Sequence, residues 1–244
     1  MLVSFFEGKI GCPFAHQGYL AQNMWLHGSH PKQRISSFTP VRFGFLVLLS
    51  LAFYLLPTIL PAALAEFEAR DTLKKGTIEL GLLAGYWKEN SLDGTKPSSD
   101  QRAIFVLPQI GIVLTDELKA GWLSGNVEVL AEPLGAHYSK PFSASAFGGS
   151  LVLRYNLLSF GRWMPFWDVG AGMLWTDLAP RIPEQSTKFN FVLETGPGIH
   201  VFVTQKFALT TSVRYHHISN ANTGDRNVGL NAWLFSGGFS FFFP

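Results

Sequence analysis

Residues 77–87 read TIELGLLAGYW. Ile78, Leu80, Leu82, Ala84 and Tyr86 share one parity, while Thr77, Glu79, Gly81 and Gly85 share the other. A β-strand turns successive side chains to opposite faces, so this stretch predicts one oily face and one small or polar face. Alternation sustained over about ten residues is the pattern of a strand that crosses a bilayer in a closed barrel.

The pattern recurs between turn-rich breaks. Segments near 77–87, 102–114, 121–132, 143–157, 163–175, 190–203, 207–219 and 230–243 make eight predicted strands. In the fourth, Phe147, Leu151, Leu153, Tyr155 and Leu157 oppose Ala146, Gly148, Ser150, Arg154 and Asn156; in the sixth, Phe191, Leu193, Ile199, Val201 and Val203 oppose Asn190, Glu194, Gly198 and His200. Charges of both signs (Glu79, Glu128, Arg154, Asp168, Glu194, Arg214) fall on the polar parity, where they would neutralise one another inside a narrow barrel filled by side chains. Periodicity alone leaves open a soluble, lipocalin-like barrel or sandwich, with its oily parity inward. Aromatics near segment ends (Tyr86, Trp87, Trp122, Trp163, Trp175, Trp233) and a final stretch of Phe239, Phe241, Phe242 and Phe243 favour the membrane. The predicted fold is all-β: an eight-stranded antiparallel transmembrane β-barrel.

What precedes the strands reads as a delivery signal. Residues 43–64 are FGFLVLLSLAFYLLPTILPAAL, preceded by Lys32, Arg34 and Arg42 and followed by Ala65 and Glu66. Basic flank, apolar run and small-residue site form a secretory signal pattern, with Pro57 and Pro61 breaking the helix before the cut. A retained membrane anchor is the alternative, since the run is long enough to span. The expected division is an N-terminal extension and signal peptide over 1–65 and an outer-membrane barrel over 66–244.

The 244 residues are 47% hydrophobic and 15% charged, which excludes a disordered chain, and the net charge of +2 offers no nucleic-acid footprint. Cys12 is the single cysteine, and it lies in the segment to be removed. No disulfide framework or thiolate metal site is available, and no CxxC, HExxH, GxGxxG or P-loop pattern occurs.

The predicted breaks alternate in length: 88–101, 133–142, 176–189 and 220–229 are long, and 115–120, 158–162 and 204–206 are short. With short turns periplasmic and long loops external, the 220–229 connection lies outside the cell. Next to it, His217 and Ser219 project from the oily parity of the seventh strand, and Asn231 from that of the eighth. Unpaired polar groups in an apolar setting cost about 1–3 kcal/mol each, so three together at the rim of an oily wall call for a reason. Acyl transfer supplies one: Ser219 as nucleophile, His217 as base, Asn231 holding the imidazole tautomer, and Asn220 with following backbone N–H groups as oxyanion donors. A bare His-x-Ser otherwise reads as part of the interfacial belt. His216, on the other parity, reads as a lumen hydrogen-bonder, and His137 and His200 lack metal-ligand spacing.

The longer string RYHHISNAN over 214–222, followed by Gly229, Leu230 and Asn231, resembles the lipid A 3-O-deacylase family (PagL type, also labelled acyloxyacyl hydrolase). The resemblance is specific to 214–231, around the family's H-x-S-N-A motif, and implies catalytic His217 and Ser219, with Asn220 helping to form the oxyanion hole. It further implies hydrolysis of the ester joining a 3-hydroxyacyl chain to position 3 of lipid A, or of lipopolysaccharide, in the outer membrane, without metal or cofactor. One position departs: Asn231 stands where the family carries an acid. An amide orients histidine without stabilising imidazolium by charge, which implies a slower enzyme, one that recruits Asp225, or a barrel without activity. A non-catalytic barrel and an outer-leaflet phospholipase stay open as alternatives, as does the oligomeric state, a homodimer included.

Overall fold

The computed structural model of the protein describes residues 68–90 and 98–244. The expected signal peptide, its cleavage site and Cys12 lie outside the described residues. Eight antiparallel strands, β1 (Ile78–Glu89), β2 (Arg102–Val113), β3 (Gly125–Lys140), β4 (Ala144–Leu157), β5 (Trp163–Thr176), β6 (Phe189–Phe202), β7 (Phe207–Ser219) and β8 (Leu230–Phe243), pair each with the next. β8 pairs back to β1 (Glu79 opposite Phe242, Tyr86 opposite Phe235) and closes the barrel. No described helix is long and apolar enough to cross a membrane.

The side-chain parities decide between the two barrel readings. Leu151 is 67% exposed, Leu193 55% and Phe235 51%, whereas Glu79, Arg154, Asp168 and Arg214 are 0% exposed. A soluble barrel would invert this arrangement. An oily exterior around a charged interior satisfies the hydrogen-bonding needs of every strand only with lipid outside, and closure leaves no edge unpaired.

The interior is stacked in layers. Arg154 pairs with Glu79 (2.9 Å) and Asp168 (2.8 Å), and Arg214 with Glu132 (2.8 Å), Asp168 (2.7 Å) and Glu194 (3.1 Å). His216 lies 3.0 Å from Glu194, and His200 2.8 Å from the Thr210 hydroxyl. Below this layer, Leu73, Val113, Leu158, Met164, Phe202 and Phe242 form an apolar cluster, sealed by the short helix α1 (Ala69–Thr72). Above it lies a second cluster that includes Leu83, Leu107, Leu174 and Ile218. Trp87 belongs to that upper layer and not to the surface girdle expected of it: the ring is fully buried, stacked on Phe105 and edge-on to Tyr138. It follows the inward parity of Glu79 and Leu83, and parity outweighs an aromatic's preference for the interface.

Two predicted boundaries move. β3 does not end at 132; it continues to Lys140, so the long external break expected over 133–142 shrinks to 141–143. Pro133 reads as a breaker because it lacks an N–H for the ladder. The structure places it opposite Gly149 of β4, at a point where β3–β2 pairing is interrupted between Ala131 and Gly135, and the strand resumes beyond. At its start β3 begins only at Gly125, because Gly121–Leu123 form a 3₁₀ turn. The connection over 114–124 is therefore longer than expected. An even strand count still puts both ends of the barrel on one side, opposite the connections 90–101, 141–143, 177–188 and 220–229.

Candidate active site

The even residues of β7 face the lumen and the odd ones the outside, which carries His217 and Ser219 to the lipid face, both half-buried. Across the β7–β8 ladder His217 stands directly opposite Asn231. The imidazole Nδ1–H donates to Asn231 Oδ1 at 2.6 Å. With the proton fixed on Nδ1, the lone pair of Nε2 is left to accept a proton from elsewhere. On the other flank, β6 places Leu193 opposite His217 and Phe191 opposite Ser219. Two residues along one strand separate their Cβ atoms by roughly 6–7 Å, within side-chain reach. Among the described residues the Ser219 hydroxyl makes no hydrogen bond, to His217 or to any other group.

Gly229 builds the seat of the ring. Its φ of +80° is a conformation that favours glycine, and a Cβ there would lie 2.9 Å from His217 Cε1. Glycine thus serves both the turn into β8 and the space the imidazole fills. It stands in the sequence string beside Asn231, but nothing in the string gives it this role.

Asn220 follows Ser219 and turns inward, fully buried. Its Oδ1 accepts the N–H of Asn222 (3.0 Å), its Nδ2 donates to the Arg226 carbonyl (2.8 Å), and its own N–H donates to Asn227 Oδ1 (3.1 Å). The 220–229 loop is wound around this one amide, with Ala221 and Asn222 at positive φ. Asp225 is exposed on the loop and forms no contact with His217 among the described residues.

The β5–β6 connection props the loop from behind. Val228 N–H donates to the Glu184 carbonyl (2.9 Å), and Gln185 pairs with Asn227 in a β-bridge. Buried Gln185 sends its Nε2 to the carbonyl of Ile218 (3.0 Å), the residue before Ser219. No periodicity marks Gln185, so sequence reasoning passes over it.

His216 and His200 lie in the lumen as described, and His137 is exposed on β3. Among the described residues no group of three or more His, Cys, Asp or Glu side chains is placed to hold a metal ion.

No curated protein sequence matches the chain. Among solved structures, the outer membrane enzyme PagL is similar at 13% identity, covering 67% of this chain and 98% of that one, with a TM-score of 0.49. Neisserial surface protein A is similar at 16% identity (69% and 100% covered, TM-score 0.47), and OprG from Pseudomonas aeruginosa at 15% (70% and 97% covered, TM-score 0.39). The family model of the lipid A 3-O-deacylases (PagL) matches residues 92–240, a span that runs from the first external loop into β8 and includes His217, Ser219 and Asn231. The chain belongs to this lipid A 3-O-deacylase family of outer-membrane β-barrel hydrolases.

Proposed function

We propose that the protein is an outer-membrane serine esterase that removes the ester-linked 3-hydroxyacyl chain at position 3 of lipid A. The observation that carries the reading is the 2.6 Å His217–Asn231 contact on the lipid-facing side of the barrel, with Ser219 on the same face two residues away.

In the reaction, His217 Nε2 takes the proton of the Ser219 hydroxyl as Oγ attacks the ester carbonyl. Backbone N–H groups of the turn that Asn220 organises would receive the developing oxyanion, the Asn220 amide itself being engaged within the loop. Collapse expels the sugar hydroxyl, which takes the proton back from His217, and water admitted from the external side releases the fatty acid by the same steps in reverse order. Asn231 holds the tautomer throughout without adding charge. The lipid-facing position explains why the site needs no cleft: the bilayer itself delivers the acyl chain and keeps water scarce.

Mass spectrometry of lipid A from cells with and without the protein tests this. The expected result is loss of one 3-hydroxyacyl chain; an unchanged acyl pattern overturns it. The amide at position 231, where the family carries an acid, favours one competing reading, a non-catalytic barrel. Deacylation that disappears in Ser219→Ala removes that reading, and loss of glycerolipid chains in place of lipid A chains would reassign the substrate to phospholipid.

A further inference from the structure

Beside the site, the outer rim of the barrel carries a row of cations. Register places Trp233 of β8 opposite Lys88 of β1, Lys88 opposite Arg102 of β2, and Arg102 opposite Lys140 of β3. These residues therefore form one register row across adjacent strands, which begins two residues along the ladder from the His217–Asn231 pair, since Tyr215 faces Trp233. Adjacent strands are about 4.8 Å apart, so the row begins within about 10 Å of β7 and leads away from it around the barrel.

Among the described residues one carboxylate answers these three charges. Asp100, at φ +49°, accepts a hydrogen bond from Arg102 at 2.8 Å and is itself exposed. That bond above all, against desolvation, and then the charges of Arg102, Lys140 and Lys88 hold its carboxyl below the usual range. Lys88 and Lys140 are exposed and form no ion pair with another described residue. Between this row and the catalytic hairpin lies a depression of about 320 Å³, lined by Lys88, Glu89, Asn90, Trp233 and Phe235. Trp233 and Phe235 give it two aromatic rings, and Lys88 gives it one cation. The Glu89 carboxylate accepts the Gln101 N–H at 2.9 Å and so serves the loop.

A solvated charged face would scatter both signs, as surfaces usually do. This row has one sign in excess at the loop ends of its strands, with Trp233 in register beside Lys88. We infer that Lys88, Arg102 and Lys140 form a binding site for a phosphate of lipid A, with the Trp233–Phe235 depression taking the adjoining acyl chain, so that the bound headgroup presents its ester to Ser219. The inference deepens the esterase reading and rests on it for the identity of the lipid. Phosphate suits the site because its oxygens accept from guanidinium and ammonium together, and because charge-assisted bonds are roughly twice as strong as neutral ones.

The test is calorimetric titration of the full-length barrel, refolded in neutral detergent, with bisphosphorylated lipid A, phosphatase-treated lipid A and phosphatidylglycerol. The site predicts that bisphosphorylated lipid A binds about tenfold more tightly than the dephosphorylated form, about 1.4 kcal/mol. Lys88→Gln/Arg102→Gln/Lys140→Gln should shrink that ratio to about twofold or less, and Lys88→Arg/Lys140→Arg should keep it. Resistance of each variant to unfolding on unheated gels shows that the barrel has formed. Equal affinity for the two lipid A forms, a ratio that survives in the triple glutamine variant, or phosphatidylglycerol binding as tightly as lipid A would each overturn the site. Deacylation is read separately: phosphate-dependent binding by a protein that leaves the acyl chain in place sustains the site and overturns the esterase reading.

Discussion

His217 and Asn231 meet across a single rung of the β7–β8 ladder, Nδ1 to Oδ1 at 2.6 Å, on the side of the barrel turned to lipid. An amide carbonyl in that position fixes the tautomer but would leave an imidazolium without a counter-charge. Asn231→Asp should therefore raise kcat, by about tenfold or more, because replacing a triad carboxylate by its amide elsewhere costs up to about 10⁴. Asn231→Leu should lower it, since Nδ1–H loses its acceptor. Rates of release of 3-hydroxy fatty acid from lipid A micelles decide; an Asp variant slower than the parent would mean that Asn231 does not orient the base.

Ser219→Ala should reduce deacylation by at least about a thousandfold, as removal of a nucleophile does where oxyanion donors remain. The hydroxyl makes no hydrogen bond among the described residues, so thermal and urea unfolding should shift by no more than about 0.5 kcal/mol. Residual turnover within tenfold of the parent would assign the attack to another group.

Gly229→Ala should weaken catalysis by displacing His217 and not by loosening the barrel. The added methyl would stand 2.9 Å from Cε1, and φ +80° adds backbone strain of about 1 kcal/mol. The expected signature is a kcat lowered about tenfold or more at nearly constant KM, with strand content by circular dichroism unchanged. A changed KM alone would place the effect in lipid binding.

These relationships differ in how far the sequence disclosed them. The period of two along β7 sets Arg214 and His216 against His217 and Ser219, and one inward residue, Glu79, fixes the hand of β1; such regularities need only local chain geometry. Trp87 obeys the same parity, although its aromatic character suggests a girdle. Pro133 escapes local rules because its missing N–H falls at a gap in pairing with β2, a fact of the neighbouring strand. Gln185 lies in a connection without period, and its bond to Ile218 exists only because two loops fold over the same barrel mouth. Contacts between loops leave no periodic trace in the chain.

Gln185→Leu removes the donor to the Ile218 carbonyl, a contact worth about 0.5–1.5 kcal/mol. The penalty falls on the rim and not on the charged layer, so global unfolding should move less than the local opening of 220–229. Limited proteolysis should then cut that loop faster while kcat falls, and Gln185→Asn should not rescue it because its amide is one methylene short. Unchanged kcat with faster cleavage would make Gln185 a structural prop with no part in placing Ser219.

Arg214 is the centre of the buried charge layer, touching Glu132, Asp168 and Glu194 at 2.8, 2.7 and 3.1 Å. Arg214→Met keeps much of the volume but leaves Glu132 without a cation, and Asp168 and Glu194 with only Arg154 and His216, in a lumen sealed above and below by apolar clusters. Removing one partner of a buried ion network costs about 3–5 kcal/mol, against about 0–1 for a surface pair such as Lys188–Asp177. The urea midpoint of the refolded barrel should fall sharply for Arg214→Met and hardly at all for Lys188→Met. Adding Glu132→Gln and Glu194→Gln to Arg214→Met should recover part of the loss, because each removes an uncompensated charge. If the single variant is as stable as the parent, the lumen is wetter than its packing indicates, and water in place of Arg214 solvates the three acids.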